Sequence, residues 1–168
     1  MLVISVRNYK PIDYDACRHR LWVQLTQHHR DIYDAPYIGG DDPGADFDDH
    51  LKLVGPERLW VAVVDSQAVG LIGLIVTDAS AEIEPIIVDP DFRRRGVASS
   101  LIDHVKDVAV MDELPELTVR PVARNAMILD FLSKRGFNTL GHVELIARPE
   151  VSPKWIDGAR VSGVQFRV

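Results

Sequence analysis

The residue types best suited to phosphate binding lie in one stretch, Ile86 to Leu101 (IIVDPDFRRRGVASSL). Three consecutive arginines precede Gly96, and small residues follow at the start of a predicted helix. The first amides of a helix have no intrahelical partner and lie at the positive end of its dipole, so they can bind a phosphate. Glycine lets a ligand approach the backbone, and guanidinium groups bind a diphosphate. Arginine runs are usually solvated surface, but a position between a strand and a helix favours a phosphate site.

A proline interrupts the strand predicted before this stretch, Glu82 to Asp89. Pro85 cannot donate a ladder hydrogen bond, so it indicates either a break in a central strand or an edge strand. If pairing stops at Pro85, the backbone groups from Ile86 to Val88 are free to bind an extended amide ligand as an added strand.

Two glutamates, Glu82 and Glu84, share one face of this strand because side chains alternate along it. A carboxylate in a cleft can take a proton from an ammonium group, directly or through water. Burial would raise the pKa of that carboxylate toward neutrality, as the reaction requires. A solvated strand face is the alternative interpretation for either glutamate.

The length, charge and cysteine content of the chain limit the classes of protein to which it can belong. Its 168 residues fit a single domain, residues 1–168, and its net charge of −6 disfavours a nucleic-acid partner. The one cysteine, Cys17, excludes an internal disulfide, and no metal site is predicted. The longest apolar run, Val69 to Val76, is too short to cross a bilayer, and the N-terminus lacks a signal-peptide layout. We therefore expect a cytoplasmic protein without a membrane partner.

Hydrophobic periodicity predicts the elements that position these residues. The predicted order is β-α-α-β-β-β-α-β-α-β-β, and its first helix runs from Asp13, as the capping residue, to about Tyr33. The strand–helix–strand unit from Glu82 to Arg120 should be parallel, and the rest of the sheet antiparallel. The last two strands are expected at Phe137 to Arg148 and at Val161 to Val168, with a loop from Pro149 to Gly158 between them.

Two segments resemble signatures of the GNAT superfamily of N-acetyltransferases. The first runs from Val88 to Ala98, where Arg93, Gly96 and Ala98 match the core pattern (Q/R)-x-x-G-x-(G/A). The second, Asn125 to Phe137, resembles the family segment N-x-x-A-x-x-(L/F)-Y-x-K-x-G-F. The spacing of the segments and the order of elements also fit, so the resemblance covers the chain from Leu2 to about Gly141.

The resemblance implies a fold and a set of binding residues. The expected architecture is the α/β GNAT fold, with a mixed, mostly antiparallel central sheet of about seven strands and four helices. Strands 4 and 5 would splay apart to hold acetyl-CoA, with Pro85 at the family's bulge and pantetheine paired with the backbone beyond it. The residues implied for binding acetyl-CoA are Ile86, Ile87, Val88, Arg93, Arg94, Arg95, Gly96, Val97, Ala98, Ser99, Asn125 and Phe131.

The resemblance also implies a mechanism in which the acceptor amine attacks the thioester directly. Glu82 or Glu84 would be the catalytic base. The tyrosine that often protonates the CoA thiolate is replaced by Leu132, and all four tyrosines precede residue 38. The acid would therefore be Tyr37 or Tyr33 from the N-terminal loop, Ser133 or water, unless the acidic CoA thiol needs none.

These observations lead to one hypothesis and one alternative. The hypothesis is an acetyl-CoA-dependent N-acetyltransferase that acts on a primary amine of a small molecule or peptide. The alternative is a GNAT-fold module that binds acyl-CoA without turning it over, as the replacement at Leu132 would allow. An acidic loop from Tyr33 to Asp49 would attract a cationic amine, or is simply solvated surface. Because family enzymes are often dimers, a homodimer is a further expectation from the resemblance.

Overall fold

A five-stranded sheet in the order β1-β2-β3-β4-β5 organises the first part of the chain. All neighbouring strands are antiparallel except β4 and β5, which are parallel. The computed structural model describes residues 2–77, 80–114, 116–146 and 156–168. The strands are β1 (Ser5–Asn8), β2 (Leu59–Val64), β3 (Gln67–Val76), β4 (Ala81–Val88) and β5 (Leu117–Val119).

Helices connect these strands. The first helix runs without interruption through α1 (Tyr14–Ala16), a π-helical segment (Cys17–Trp22) and α2 (Val23–Tyr33). It is followed by α3 (Asp46–Val54), and α4 (Val97–Met111) makes the crossover between β4 and β5. Asp13 precedes the first helix, but it does not cap it: its carboxylate binds Arg7 and the Lys10 amide instead.

Both faces of the sheet are covered because β2 and β3 are apolar on both sides. Leu59 and Val61 pack in a core cluster with the π-helical segment and with Phe47 of α3. Trp60 points the other way and contacts His104 of α4, with ring centroids 5.5 Å apart. On the α4 side, Gly70 brings helix and sheet into close contact, since a Cβ there would lie 3.0 Å from Val97 and Leu101 side-chain atoms.

The pairing of β3 with β4 changes register at the predicted break. Leu74 pairs with Ile83 and Ile72 with Ile86, so that Glu84 and Pro85 together lie opposite the single residue Gly73. This is a β-bulge, with one extra residue on β4. The sequence expectation of a bulge at Pro85 is therefore confirmed.

The chain divides into two compact units, Met1–Arg120 and Pro121–Val168. The second unit contains α5 (Ala126–Lys134), β6 (Asp157–Val161) and β7 (Val164–Arg167), and the two strands form an antiparallel sheet of their own. Asn125 caps α5, its side chain accepting a 3.2 Å hydrogen bond from the Ile128 amide.

The mixed sheet and the four helices agree with the predicted fold class, but the central sheet of seven strands is wrong. In the described ranges, seven strands occur as a sheet of five and a sheet of two. The strand expected at Phe137 to Arg148 is absent from residues 137–146, which have no regular structure, while 147 and 148 lie outside the described residues. Most of the predicted loop from Pro149 to Gly158 also lies outside them, and β6 begins within its end. In the described part of the chain, no helix is both long and apolar enough to span a membrane.

Candidate functional site

Strand β4 is paired on one side for only part of its length. Its first three residues, Ala81 to Ile83, pair with β5, which ends at Val119. From Glu84 to Val88, none of the described strands pairs with this edge. The pairing between the parallel strands β4 and β5 therefore ends just before the bulge, because β5 ends there. The splaying of the two strands stays a prediction.

The backbone groups at this edge can be assigned from the ladder. The Asp89 amide donates a 2.9 Å hydrogen bond to the Val69 carbonyl on β3. Since N–H and C=O groups alternate in direction along a strand, the groups of Ile87 also face β3, and those of Ile86 and Val88 face the open edge. The Ile87 carbonyl indeed lies beside Gly70 of β3. Of the three residues predicted to bind pantetheine through their backbone, only Ile86 and Val88 present groups to a ligand.

The loop after β4 is tied to the end of the strand. Arg93 donates a 3.1 Å hydrogen bond from Nε to the Val88 carbonyl. Asp89 accepts a 3.1 Å hydrogen bond from the Asp91 amide and lies 3.5 Å from the guanidinium of Arg20. The open edge thus offers the Ile86 N–H and C=O and the Val88 N–H, while the Val88 carbonyl is occupied.

The backbone then turns its amides outward at the start of α4. Arg94 and Gly96 both have left-handed conformations, with φ of 58° and 91°. The first amide of this region with a helical bond is that of Ser100, which donates to the Gly96 carbonyl at 2.9 Å. Turns of this kind followed by a helix N-terminus form a concavity that binds anions. Only the backbone of Val97 contributes to this concavity, because its side chain is buried in the core.

The three arginine side chains differ in their contacts. Arg93 is bound to the strand end as described, and Arg95 lies over the Phe92 ring at 5.7 Å from its centroid. All three side chains are exposed. They surround the loop amides with positive charge, although Arg93 is partly committed to holding the loop.

The two candidate bases lie in different environments. Glu82 pairs with Ile75 of β3, and Glu84 lies at the bulge opposite Gly73, two residues away on the same face of β3. The Glu82 carboxylate is 12% exposed and forms a two-point ion pair with Arg120, in which Nε and Oε1 are 2.7 Å apart. Glu84 is exposed, and no cation among the described residues forms a salt bridge with it. Both oxygens of the Glu82 carboxylate are thus occupied by Arg120, whereas the Glu84 carboxylate is accessible to a substrate.

Sequence reasoning missed Arg120 as a partner of the site. It follows β5 directly, and the parallel register of β5 beside β4 carries it to Glu82, since Thr118 pairs with Glu82. The sequence did contain a signal: Arg120 directly follows the predicted strand β5, and β5 was expected to run parallel to β4, which bears the glutamates.

The acidic loop is less negative than its composition suggests. Arg18 binds both Asp42, at 2.6 Å, and Asp48, at 3.0 Å. Asp48 also accepts a 2.7 Å hydrogen bond from the Tyr14 hydroxyl. The hydrogen bond from Arg18 lowers the pKa of Asp42, and those from Tyr14 and Arg18 lower the pKa of Asp48.

Residues of α2 hold the same loop at its other end. Arg30 donates 2.8 Å hydrogen bonds to the carbonyls of Ile38 and Gly40, and Thr26 donates one to the Pro43 carbonyl. Tyr37 directly precedes the first of these anchors, and 77% of its surface is exposed. Its predicted role as an acid stays a prediction.

Neither a cysteine nucleophile nor a metal-binding group is found at this site among the described residues. Burial raises the pKa of the Cys17 thiol to about 12, so it is not a nucleophile at neutral pH. No group of metal-binding side chains occurs within the described ranges.

The second predicted segment lies in the second unit. Asn125 is the cap of α5, Phe131 is half-buried within that helix, and Leu132 is buried. The roles of Asn125 and Phe131 in binding acetyl-CoA stay predictions. Leu132 has no group that can donate a proton.

The edge of β4 that opens at the bulge and leads to the N-terminus of α4 is the arrangement that the family resemblance predicted for binding acetyl-CoA. The family model described as the acetyltransferase (GNAT) family matches residues 22–137. The chain therefore belongs to the GNAT acetyltransferase family, and the resemblance of the two sequence segments is confirmed.

Relatives with assigned activities support the same family. The chain is 31% identical to streptothricin acetyltransferase of Escherichia coli over 76% of its own length and 73% of that protein. It is 28% identical to the peptidyl-lysine N-acetyltransferase YjaB of Escherichia coli K12, over 86% of its length and 88% of that protein.

Solved structures share the fold at lower identity. A GNAT-family acetyltransferase of Staphylococcus aureus matches with a TM-score of 0.64 and 16% identity, over 80% of this chain and 84% of that chain. The aminoglycoside N-acetyltransferase AAC(6')-Iy in complex with CoA matches with a TM-score of 0.62 and 18% identity, over 89% of this chain and 97% of that chain.

Proposed function

We propose that this protein transfers an acetyl group from acetyl-CoA to a primary amine. The observation that carries the proposal is the open edge of β4 from Glu84 to Val88, which leads directly to the outward-facing amides before α4. An extended amide ligand with a diphosphate at one end matches this succession of groups. Acetyl-CoA has that form, and CoA is present in the structure of a fold neighbour.

The residues fit the two halves of acetyl-CoA. Pantetheine amides would pair with the Ile86 N–H and C=O and with the Val88 N–H. The diphosphate would accept hydrogen bonds from amides between Arg94 and Ser99, with Arg94 and Arg95 supplying charge. The thioester would then lie toward the bulge at Glu84 and Pro85, beyond the end of β5. Asn125 and Phe131 of the second unit stay proposed as residues that bind acetyl-CoA.

The chemistry requires a neutral amine nitrogen. In this scheme Glu84, directly or through one water, takes a proton from the ammonium group of the acceptor. The amine nitrogen forms a bond with the thioester carbonyl carbon and loses its second proton to water, the carbon–sulfur bond breaks, and CoA leaves as a thiolate. Tyr37 or water returns a proton to the sulfur. Glu82 is held by Arg120, which balances its charge, and it does not accept the proton.

The acceptor class follows from relatives and from the loop. One relative is named for streptothricin and another for peptidyl-lysine, so the proposed acceptor is an amine on a cationic small molecule or a lysine side chain. Arg18 balances Asp42 and Asp48, so the attraction for a cation rests on Glu84 and on the remaining loop carboxylates. A homodimer and a cytoplasmic location stay predictions.

Calorimetry and thiol release test the proposal together. The purified protein is titrated with acetyl-CoA, and CoA release is then followed with a thiol reagent after addition of a lysine-containing peptide or an aminoglycoside. We expect saturable binding and amine-dependent thiol release. Failure to bind any CoA thioester would overturn the proposal. Binding without acetylated product from a broad amine panel would favour the alternative module that holds acyl-CoA without turnover.

A further inference from the structure

Arg20 is a cation of the first helix that reaches the end of β4, where the loop before α4 begins. It lies in the π-helical segment (Cys17–Trp22), a kind of turn that is rare and that frequently occurs at functional sites. Its Nη2 donates a hydrogen bond to the Ala68 carbonyl near the start of β3, and its Nη1 lies 3.5 Å from Oδ2 of Asp89. One guanidinium therefore joins three parts of the first unit: the helix, the start of β3 and the end of β4.

Asp89 is a buried carboxylate that organises the turn after β4. Only 5% of the residue is exposed, and its Oδ1 accepts a 3.1 Å hydrogen bond from the Asp91 amide. Its amide donates to the Val69 carbonyl, and its carbonyl accepts from the Phe92 amide, each at 2.9 Å. Among the described residues, Arg20 alone forms a salt bridge with this carboxylate. A buried carboxylate that loses its cation is strongly destabilised, so we expect the turn to open to water without Arg20.

The turn held by Asp89 leads directly into the amides proposed to bind the diphosphate. The 3-10 turn Pro90–Phe92 is followed at once by Arg93, whose amide donates a 3.3 Å hydrogen bond back into the turn, and by Arg94, which has a left-handed conformation. At the other end of the loop, Val97 is fixed by its burial in the core. The loop thus has one anchor at the strand end and one at the helix end, and the direction of the amides between them depends on both.

We propose that Arg20 is a positioning residue, which holds the buried Asp89 carboxylate and thereby the loop whose amides bind the diphosphate of acetyl-CoA. The inference rests on the proposed use of this loop as the diphosphate site. Arg20 acts through Asp89 and not by contact with the ligand. Loss of its charge should weaken binding of any ligand that carries the diphosphate and leave the chemical step unchanged, because the proposed base Glu84 lies at the bulge, away from this loop.

Two substitutions of Arg20 separate its charge from its hydrogen bond, and calorimetry with acetyl-CoA and ADP, which share the diphosphate, measures their effects. Arg20→Gln removes the charge and keeps a donor for the Ala68 carbonyl, whereas Arg20→Lys keeps the charge. For Arg20→Gln we expect affinity for both ligands to fall about tenfold, while kcat for an acceptor amine at saturating acetyl-CoA stays within about twofold of the unsubstituted protein. Arg20→Lys should restore the affinity to within about threefold.

A double-mutant cycle tests whether Arg20 acts through Asp89. Asp89→Asn keeps an oxygen for the Asp91 amide and removes the charge that Arg20 balances. Adding Arg20→Gln to Asp89→Asn should then lower acetyl-CoA affinity by less than about twofold, because the group that Arg20 holds no longer needs a cation. The double variant contains neither charge, so it also provides the test if Arg20→Gln alone does not fold.

Arg58→Gln provides the matched control. Arg58 is another partly exposed arginine in a salt bridge, with its Nη1 2.6 Å from the Asp112 carboxylate. This pair lies at the C-terminal end of α4, opposite the end that is proposed to bind the diphosphate. We expect the substitution to leave the affinities for acetyl-CoA and ADP unchanged.

The outcomes separate the two proposals. If the unsubstituted protein does not bind acetyl-CoA, the proposed function fails and the inference fails with it. If the unsubstituted protein binds acetyl-CoA, the role of Arg20 alone is overturned by unchanged affinity in Arg20→Gln, by a loss that ADP does not share, or by a fall in kcat as large as the fall in affinity. It is also overturned if Arg20→Lys recovers nothing, or if Arg20→Gln causes an undiminished further loss in the Asp89→Asn protein.

Discussion

At the scale of single residues, the two glutamates of β4 differ by their partners. Arg120 binds the Glu82 carboxylate at two points and leaves it largely covered, whereas Glu84 is exposed at the bulge. Both oxygens of the Glu82 carboxylate are occupied by Arg120, so a substrate proton can reach Glu84 but not Glu82. The proposal therefore assigns proton transfer to Glu84.

Substitution of each glutamate tests this assignment. Glu84→Gln removes the proton acceptor and should lower kcat/KM for the amine by about a hundredfold near neutral pH, a typical loss for a general base. Glu82→Gln keeps the geometry of β4 and should cause a smaller loss. The measurement is the pH–rate profile with acetyl-CoA saturating. An unchanged profile for Glu84→Gln, or a larger loss for Glu82→Gln, would contradict the assignment.

At the scale of elements, the junction between β4 and α4 depends on backbone conformation more than on the arginines. Gly96 has φ of 91°, which points the amides before α4 outward. A side chain at such a position strains the backbone, because Cβ approaches the following carbonyl oxygen. The small residues that follow keep the concavity open.

Gly96→Ala tests the role of this backbone. We expect a loss of about 1 kcal/mol in the free energy of unfolding and, in addition, at least a tenfold loss of acetyl-CoA affinity. The matched control is Gly163→Ala, since Gly163 has φ of 84°, no atom would contact its added Cβ, and it lies in the turn between β6 and β7. Denaturant unfolding and calorimetry measure the two quantities. Equal loss of acetyl-CoA affinity in both variants would argue against the role of Gly96.

Local chemistry made part of this site predictable. Pro85 lacks an amide proton, so the sequence indicated either a break in pairing or an edge strand there, and the family resemblance placed the bulge at it. Gly96 followed by small residues located the start of α4. Contacts that depend on the register between distant strands were not predictable: Arg120 reaches Glu82 only through the parallel pairing of β5.

At the scale of the whole molecule, the sequence predicted the mixed sheet and its parallel unit, but not the grouping of strands into two sheets. A period-two pattern identifies neither the neighbours of a strand nor its turns. The single strand predicted at Val161 to Val168 is wrong: the structure has the end of β6, a turn and β7 there, and these two strands form a sheet of their own. The π-helical segment was missed for a related reason. Over a single turn, an apolar stripe looks the same for α- and π-helical spacing.

The Arg7–Asp13 ion pair should make the stability of the first unit sensitive to acid. Burial opposes ionisation of Asp13, but hydrogen bonds from Arg7 and the Lys10 amide outweigh it and lower the pKa of its carboxyl. The folded state then binds fewer protons than the unfolded state, so this stabilisation is present above about pH 4 and is lost as the pH falls below it.

Asp13→Asn tests this pH dependence. We expect the variant to be less stable at neutral pH and to lose less stability than the unsubstituted protein between neutral pH and about pH 3. The control is Asp15→Asn, a neighbouring carboxylate with 92% of its side chain exposed. Thermal unfolding measured across this range gives the comparison. A parallel pH dependence in the protein with and without Asp13 would contradict the expectation.

The central claim is that the open edge of β4 binds pantetheine through Ile86 and Val88. Amide hydrogen exchange, measured residue by residue by NMR with and without acetyl-CoA, tests it most directly. The account predicts that the amides of Ile86 and Val88 become protected when acetyl-CoA is added, while that of Ile87, already directed toward β3, changes little. Unchanged exchange at Ile86 and Val88 in the presence of saturating acetyl-CoA would contradict it.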